Sequence, residues 1–82
     1  MDYVLTEHAR DMLEKRRIPV AWMERALRMP EAMEADRMDP DLEHRLVRVP
    51  EFGNRVLRVI VNRQKAPPVV VTVFFDRRRS EP

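Results

Sequence analysis

Hydrophobic residues near the start of the chain recur with the spacing of a helix. Over residues 7–17 and again over residues 19–28, apolar side chains lie three and four positions apart, with polar side chains between them. Thr6 is suited to cap the first segment, because its hydroxyl can accept a hydrogen bond from a first-turn amide. Pro19 ends the first helix and suits the first turn of the next, and Pro30 ends the second. The pattern predicts two short helices joined by a tight connection.

Beyond residue 30 the hydrophobic pattern changes to that of strands. Residues 43–49, 55–62 and 68–75 are rich in β-branched side chains, and residues 31–37 alternate Ala or Met with acidic residues. Gly53, the only glycine, is placed for a turn between two of these segments. Strands joined by short connections predict an antiparallel meander. The fold class is therefore α+β, with two N-terminal helices packed on a three- to four-stranded antiparallel sheet.

The predicted strand over residues 55–62 is apolar on both of its faces, with Arg58 among the aliphatic side chains. Two short helices can cover only one face of the sheet. The other face is therefore expected to contact a partner, a second copy, a ligand or the C-terminal segment, because a large apolar face is rarely left in water.

Composition narrows the class of protein. With 82 residues, the chain fits one domain over residues 1–76, followed by a basic flexible tail over residues 77–82. The absence of cysteine excludes disulfides and cysteine–zinc sites. No signal peptide is visible and the apolar runs are short, so we expect a cytoplasmic protein without membrane contact. Residues 1–42 carry 7 basic and 10 acidic side chains, and residues 43–82 carry 9 and 4, which favours a polyanionic partner for the second half.

Known catalytic motifs are absent from the sequence. There is no phosphate-binding loop and no paired metal-ligand spacing, and the only serine, Ser80, lies in the basic tail. We therefore expect no metal and no cofactor, which leaves acid–base chemistry assisted by arginine. Metal-independent RNA cleavage fits this inventory, because RNA supplies its own nucleophile, the 2′-hydroxyl.

His8 and Arg16 are the candidate catalytic residues. At about 100° per residue, Arg16 lies near the centre of the apolar arc of the first helix, and His8 lies roughly 80° away and two turns along the axis. A histidine titrates near neutral pH and is suited to act as acid or base, while an arginine can grip a phosphate with its planar guanidinium. The same spacing also fits an ordinary surface histidine and an arginine whose stem packs on the core while its head reaches water.

Arginines repeated along the predicted strands are the candidate nucleic-acid-binding residues. In neighbouring strands they would line an anion-binding groove, although for any one of them ordinary decoration of a sheet edge or surface is the more common explanation. They are Arg45, Arg48, Arg55, Arg58 and Arg63.

Several segments together resemble a known family. The strings "LTEHARDMLEKRRI", "ALRMPEAMEAD", "RVLRVIVN" and "VVVTVFFD" are similar to a family of small bacterial domains catalogued only as of unknown function (DUF4258-like), over nearly the whole chain to about residue 76. That family is similar in architecture to the RelE/ParE and BrnT type toxins of bacterial toxin–antitoxin systems. The resemblance implies two helices packed on a curved antiparallel sheet. Several of those toxins are ribonucleases, and others inhibit gyrase.

The resemblance also picks out individual residues. The family's histidine, alanine, arginine, isoleucine and threonine fall on His8, Ala9, Arg16, Ile18 and Thr72.

Two positions depart from the family pattern. Arg17 stands where the family tends to have glycine, and Phe74 stands where a tyrosine is common. If that tyrosine takes part in catalysis, the activity of this chain is impaired.

These observations lead to one leading hypothesis and two alternatives. The leading one is a RelE-like domain whose basic sheet face binds RNA and cleaves it without metal, with His8, Arg16 and a strand arginine such as Arg48 or Arg58 at the phosphate. The first alternative is a non-catalytic interaction module whose open sheet face binds an antitoxin-like helix or forms a homodimer. The second is a toxin fold that has lost its activity.

Overall fold

Two helices and five strands form the fold of the computed structural model, which describes residues 1–82. A short 3₁₀ turn, Pro50–Phe52, joins two of the strands. In chain order the elements are β1 (Val4–Leu5), α1 (Glu7–Lys15), α2 (Val20–Arg28), β2 (Ala32–Ala35), β3 (Leu42–Val49), β4 (Arg55–Asn62) and β5 (Val69–Phe75). The predicted α+β class is confirmed.

The five strands form a single mixed sheet in the order β1-β5-β4-β3-β2. Strands β2 to β5 are an antiparallel meander, as predicted, and the weak alternation over residues 31–37 does form a strand. The predicted sheet lacked β1, which pairs parallel to β5 through Val4 opposite Val69. A strand of two residues carries no periodic pattern, and its existence depends on a partner 65 residues away.

Local hydrogen bonds set the limits of α1. The Thr6 hydroxyl accepts from the Ala9 amide at 3.0 Å, which confirms the predicted cap. At the other end, the Ile18 amide donates to the Leu13 carbonyl and the Arg17 amide to the Glu14 carbonyl. This pair of bonds is a Schellman motif, which requires a left-handed residue at its centre.

Arg17 is that left-handed residue, with φ of 53°. Glycine adopts this conformation without steric cost, whereas a side chain with a Cβ is disfavoured there. The glycine that the family resemblance implies at this position is therefore explained by the geometry of the helix end, and the departure at Arg17 has a conformational cost.

The hydrophobic core lies between the helices and one face of the sheet. The last strands contribute aliphatic residues, and Met23, Ala26 and Ala9 of the helices are fully buried against them. At one end of this core, the rings of Trp22, Phe52 and Phe75 lie within 6.1 Å of each other. Neither helix has the length and apolar content needed to cross a membrane.

No helix or strand covers the opposite face of the sheet, which we call the open face. Its residues follow from strand alternation and from the cross-strand register, which places His44 opposite Ile60 and Ile60 opposite Thr72. The open face includes Ala32 and Glu34 from β2, His44, Leu46 and Arg48 from β3, Val56, Arg58 and Ile60 from β4, and Thr72 and Phe74 from β5.

Candidate functional site

A buried ion pair lies near the centre of the open face. Arg58 donates from Nε and Nη2 to Oδ2 of Asp76 at 3.1 and 2.9 Å, and both side chains are almost inaccessible to solvent. Burial by itself would raise the pKa of Asp76, but hydrogen bonds from the Arg78 amide and from Arg58 outweigh it and hold the pKa below its ordinary value. The carboxylate therefore stays ionised, and it fixes the orientation of the Arg58 guanidinium.

The remaining guanidinium nitrogen of Arg58 binds two further side chains. Nη1 lies 3.1 Å from Oε1 of Glu34 and 2.8 Å from Nδ1 of His44. Because a guanidinium only donates, Nδ1 of His44 must accept, and the ring proton lies on Nε2. Nε2 then donates to Oδ1 of Asp36 at 2.6 Å. Both ring nitrogens of His44 are thus engaged within the protein.

These contacts also keep the surrounding carboxylates ionised. The hydrogen bond from Arg58 is the main cause that lowers the pKa of Glu34, with a smaller contribution from Arg79. The hydrogen bond with His44 is the main cause that lowers the pKa of Asp36. The network therefore alternates acidic and basic groups across three strands, and it is held together by their charges.

A cavity of about 610 Å³ opens beside this network. Its lining includes Arg37 and Met38 from the β2–β3 connection and Arg78 and Arg79, which follow β5. Phe74 also lines the cavity. The position at which the family tends to have a tyrosine therefore faces the main concave surface of the domain.

His8 joins the open face at its opposite edge. Its Nε2 lies 3.0 Å from Oγ1 of Thr72, while its ring is exposed and Nδ1 has no protein partner. Thr6, which caps the same helix, donates its hydroxyl to the Val71 carbonyl at 2.9 Å and so fixes α1 against β5. Thr72 is two strands away from His44, or roughly 10 Å. Of the two histidines, only His8 offers a free ring nitrogen to a ligand.

Arg16 does not meet His8 in the structure. It follows the last residue of α1, its side chain is exposed, and no hydrogen bond or ion pair holds it. Eight residues of helix separate it from His8 by about 12 Å along the axis. The two candidate catalytic residues therefore lie on one helix but at opposite ends of it.

The five candidate nucleic-acid-binding arginines are divided between the two faces of the sheet. Arg48 and Arg58 lie on the open face, whereas Arg45, Arg55 and Arg63 lie on the helix side or beside it. The positions of these arginines along each strand can be read from the sequence. The register between the strands shows in addition that they do not form one continuous row on a single face.

Intramolecular contacts occupy the arginines of the helix side. Arg45 binds Glu43 at 3.1 Å and also donates to the Leu27 carbonyl, and Arg63 lies 3.4 Å from the same glutamate. Arg55 stacks over the Phe52 ring, 4.7 Å from its centroid. Each of these arginines has a structural role on its own side of the sheet.

Sequence reasoning missed the acidic part of the network and His44. Glu34, Asp36 and Asp76 come from three separate elements, and only the fold brings them together. One signal was available, because a charged residue inside an apolar strand needs a buried opposite charge, and Asp76 directly follows the last strand.

Comparison with known proteins identifies the family. The model of the family described as a domain of unknown function, DUF4258, matches residues 5–75, and the chain belongs to this family. No curated protein and no solved structure matches the chain. The match confirms the resemblance to this family and includes His8, Arg58 and Thr72, whereas residues 76–82, and with them Asp76, lie outside it.

Proposed function

We propose that this DUF4258 domain binds RNA on the open face and cleaves it without metal, in the manner of the ribonucleases among the RelE and BrnT type toxins. The observation that supports the proposal is the environment of His8. Its ring is held by Thr72 through Nε2, and its Nδ1 is exposed at the edge of a face that also carries arginines. A histidine with one ring nitrogen held and the other exposed is suited to proton transfer.

The reaction needs two proton transfers. The 2′-oxygen of the RNA forms a bond to phosphorus as its proton leaves, and the bond from phosphorus to the 5′-oxygen breaks as that oxygen takes up a proton. In the tautomer whose ring proton lies on Nε2 and is donated to Thr72, Nδ1 of His8 accepts the first proton, and water supplies the second. Both ring nitrogens of His44 are bound within the protein, so His44 orients Arg58 and does not exchange protons with the substrate.

Arginines near the cavity would hold the phosphates. Arg37 has no side-chain partner, and Arg78 is highly exposed and reaches Asp76 only at 3.4 Å, so both guanidinium groups are free to bind an anion. Arg58, in contrast, is occupied by Asp76 and Glu34 and acts as the organiser of the site. Arg16, about 12 Å along the helix from His8, would contact a flanking phosphate rather than the one that is cleaved.

A ribonuclease assay tests the proposal. A labelled single-stranded RNA is incubated with the purified protein in EDTA, and the single-turnover rate is measured. His8→Ala should lower the rate by at least about 100-fold, the usual contribution of a general acid or base. Arg16→Ala should instead weaken RNA binding in a salt-dependent way.

Arg10→Ala serves as the matched control, because Arg10 is another exposed basic residue of α1. It should leave both the rate and the affinity near wild-type values. Equal cleavage by the wild type and by His8→Ala would mean that the activity belongs to a contaminant, and it would rule out catalysis by His8.

A second candidate function is binding of a protein partner without catalysis, and the edge strand β2 favours it. The Asp36 amide donates to the Leu42 carbonyl, so every second residue of β2 is hydrogen-bonded to β3. The backbone N–H and C=O groups of the residues between them, Met33 and Ala35, therefore point away from the sheet. Met29, Met33 and Met38 around this edge are each more than half exposed. An antitoxin-like segment or a second copy would pair with this edge. Light scattering tests both: a monomer mass that does not change with protein concentration excludes the second copy, and a monomer mass in the presence of the candidate partner excludes that partner.

Phe74 is the residue that connects the proposal with loss of activity. It lies opposite Arg58 in the register and faces the cavity, where a tyrosine would present a phenol hydroxyl. If the family reaction needs that hydroxyl, the chain binds RNA and leaves it uncut. Phe74→Tyr should then produce cleavage that the wild type lacks, without a change in RNA affinity.

A further inference from the structure

The segment that follows β5, residues 77–82, crosses the open face. It begins beside β4, where the Asp76 amide donates to the Val56 carbonyl at 2.9 Å. Its side chains reach residues of two further strands: Nη1 of Arg79 lies 2.7 Å from Oε2 of Glu34, a β2 residue, and Glu81 lies 3.9 Å from Arg48 of β3. The segment therefore contacts open-face residues that belong to strands beyond β5.

Two aliphatic residues beneath this path are buried. Leu46 and Val56 point to the open face and are completely inaccessible to solvent, although neither belongs to the core cluster formed with the helices. The side-chain Nε of Arg48 on the same face is buried as well, and it has no hydrogen-bond partner. The crossing segment and the arginines that it contacts therefore act as a cover for this part of the sheet.

Arg79 holds the cover to Glu34 at 2.7 Å, whereas the contact near the end of the cover is weak. Glu81 approaches Arg48 only to 3.9 Å, and both side chains of this pair have a large exposed fraction. Exposed ion pairs contribute little to stability, and salt screens them. A competing anion could therefore bind Arg48 in place of Glu81, and this would release the end of the cover.

We propose that residues 77–82 are an autoinhibitory latch on the open face. In the closed state, Glu81 neutralises Arg48 and the segment blocks the surface over β3 and β4. A polyanion opens the latch by taking Arg48 from Glu81. The identity of the polyanion as RNA rests on the proposed function, whereas the latch itself requires only an anion that competes for the same arginine.

The latch is tested on the full chain by two independent measurements. Backbone ¹⁵N relaxation reports whether residues 79–81 are ordered, and fluorescence anisotropy reports binding of a labelled single-stranded RNA. Inorganic polyphosphate serves as a second anion that lacks bases and sugars. Glu81→Gln should increase the affinity for both anions by about two- to fivefold, the size expected from the loss of one exposed ion pair.

Glu14→Gln is the control for the change in net charge, because Glu14 is exposed on α1 and forms no side-chain contact. It should alter the affinity less than Glu81→Gln does. If both variants increase the affinity for the anions equally, the effect comes from net charge alone, and the latch is overturned.

The possible outcomes separate the latch from the RNA proposal. A segment that is ordered in the free protein and mobile after binding of either anion supports the latch, and if only polyphosphate has this effect, the RNA proposal fails alone. A segment that is mobile in the free protein, or one that stays ordered after addition of both anions, overturns the latch. RNA binding with the segment still ordered would preserve the proposed function.

Discussion

Neighbouring residues of β4 show how differently the two faces of the sheet are stabilised. Leu57 and Val59 point to the helices and lie in a core made only of hydrophobic contacts. Arg58, between them, points to the open face and is held by directed contacts to Asp76 and Glu34. The helix side gains its stability from apolar area, which tolerates changes of pH, whereas the open face depends on charges whose number changes with pH.

The largest expected difference between the faces comes from truncating aliphatic side chains. Leu57→Ala should lower the free energy of unfolding by about 3 kcal/mol, because it removes buried methyl groups and leaves a cavity that the two helices cannot fill. Ile60→Ala, on the open face of the same strand, should cost less than half as much, because Ile60 is only half-buried. Urea denaturation measures both, and equal losses would contradict the distinction between the faces.

Lowering the pH should destabilise the fold through the ion pairs of the open face. The pKa values of Glu34, Asp36 and Asp76 are lowered, so each carboxylate stabilises the fold above its ordinary pKa of about 4 and loses this contribution as the pH falls through the lowered value. We therefore expect the free energy of unfolding to fall steadily below about pH 4. Asp76→Asn should flatten this profile and lower the stability at neutral pH.

The exposed Asp11 provides the control for this profile, since Asp11→Asn should keep the wild-type slope. One pair outside the open face adds to the acid response. Arg25 holds Glu51 with two hydrogen bonds, which lowers the pKa of Glu51 to about 2. Arg25→Ala removes the contribution of Glu51, and it therefore separates this contribution to the acid response from that of the open face. If Asp76→Asn keeps the wild-type dependence of stability on pH, Asp76 does not contribute to the acid response.

The smallest effect is expected at the end of α1, within the helix layer. Arg17→Gly should raise the free energy of unfolding by about 1 kcal/mol, because glycine adopts the positive φ of this position without steric cost. Arg16→Gly, next to it but at φ of −93°, should instead cost about 0.5 kcal/mol. Thermal unfolding distinguishes the two variants, and a loss of stability with Arg17→Gly would contradict the interpretation of the helix end.

The sequence was informative wherever local patterns determine the structure. The Thr6 cap and the strand over residues 55–62 follow from capping and side-chain alternation, and both are present in the structure. Pro19 does precede α2, but the predicted stop of the first helix at this proline is wrong, because α1 already ends at Lys15. The pattern also showed that the helices would leave one face of the sheet uncovered.

The network on the open face could not be predicted in the same way. It depends on the register between strands, which aligns Glu34 with His44 and Arg58 with Phe74. An irregularity between Ile60 and Val61 shifts the pairing of β4 with β5, and nothing in the local sequence announces it. The contacts of Asp76 with Arg58 are therefore a property of the fold, although Arg58 by itself stood out as a charge within an apolar strand.

The parallel pairing of β1 with β5 has a consequence for the order in which the domain assembles. It joins Val4 and Leu5 to Val69 and Val70, so the strand that precedes α1 finds its partner only after all the other elements have left the ribosome. Contacts of such long sequence separation slow folding, because a long loop must close before they form. Docking of α1, which contacts β5 through Thr6 and His8, belongs to the same late step. The free ring nitrogen of His8 thus reaches its place at the open face only when the whole sheet has formed.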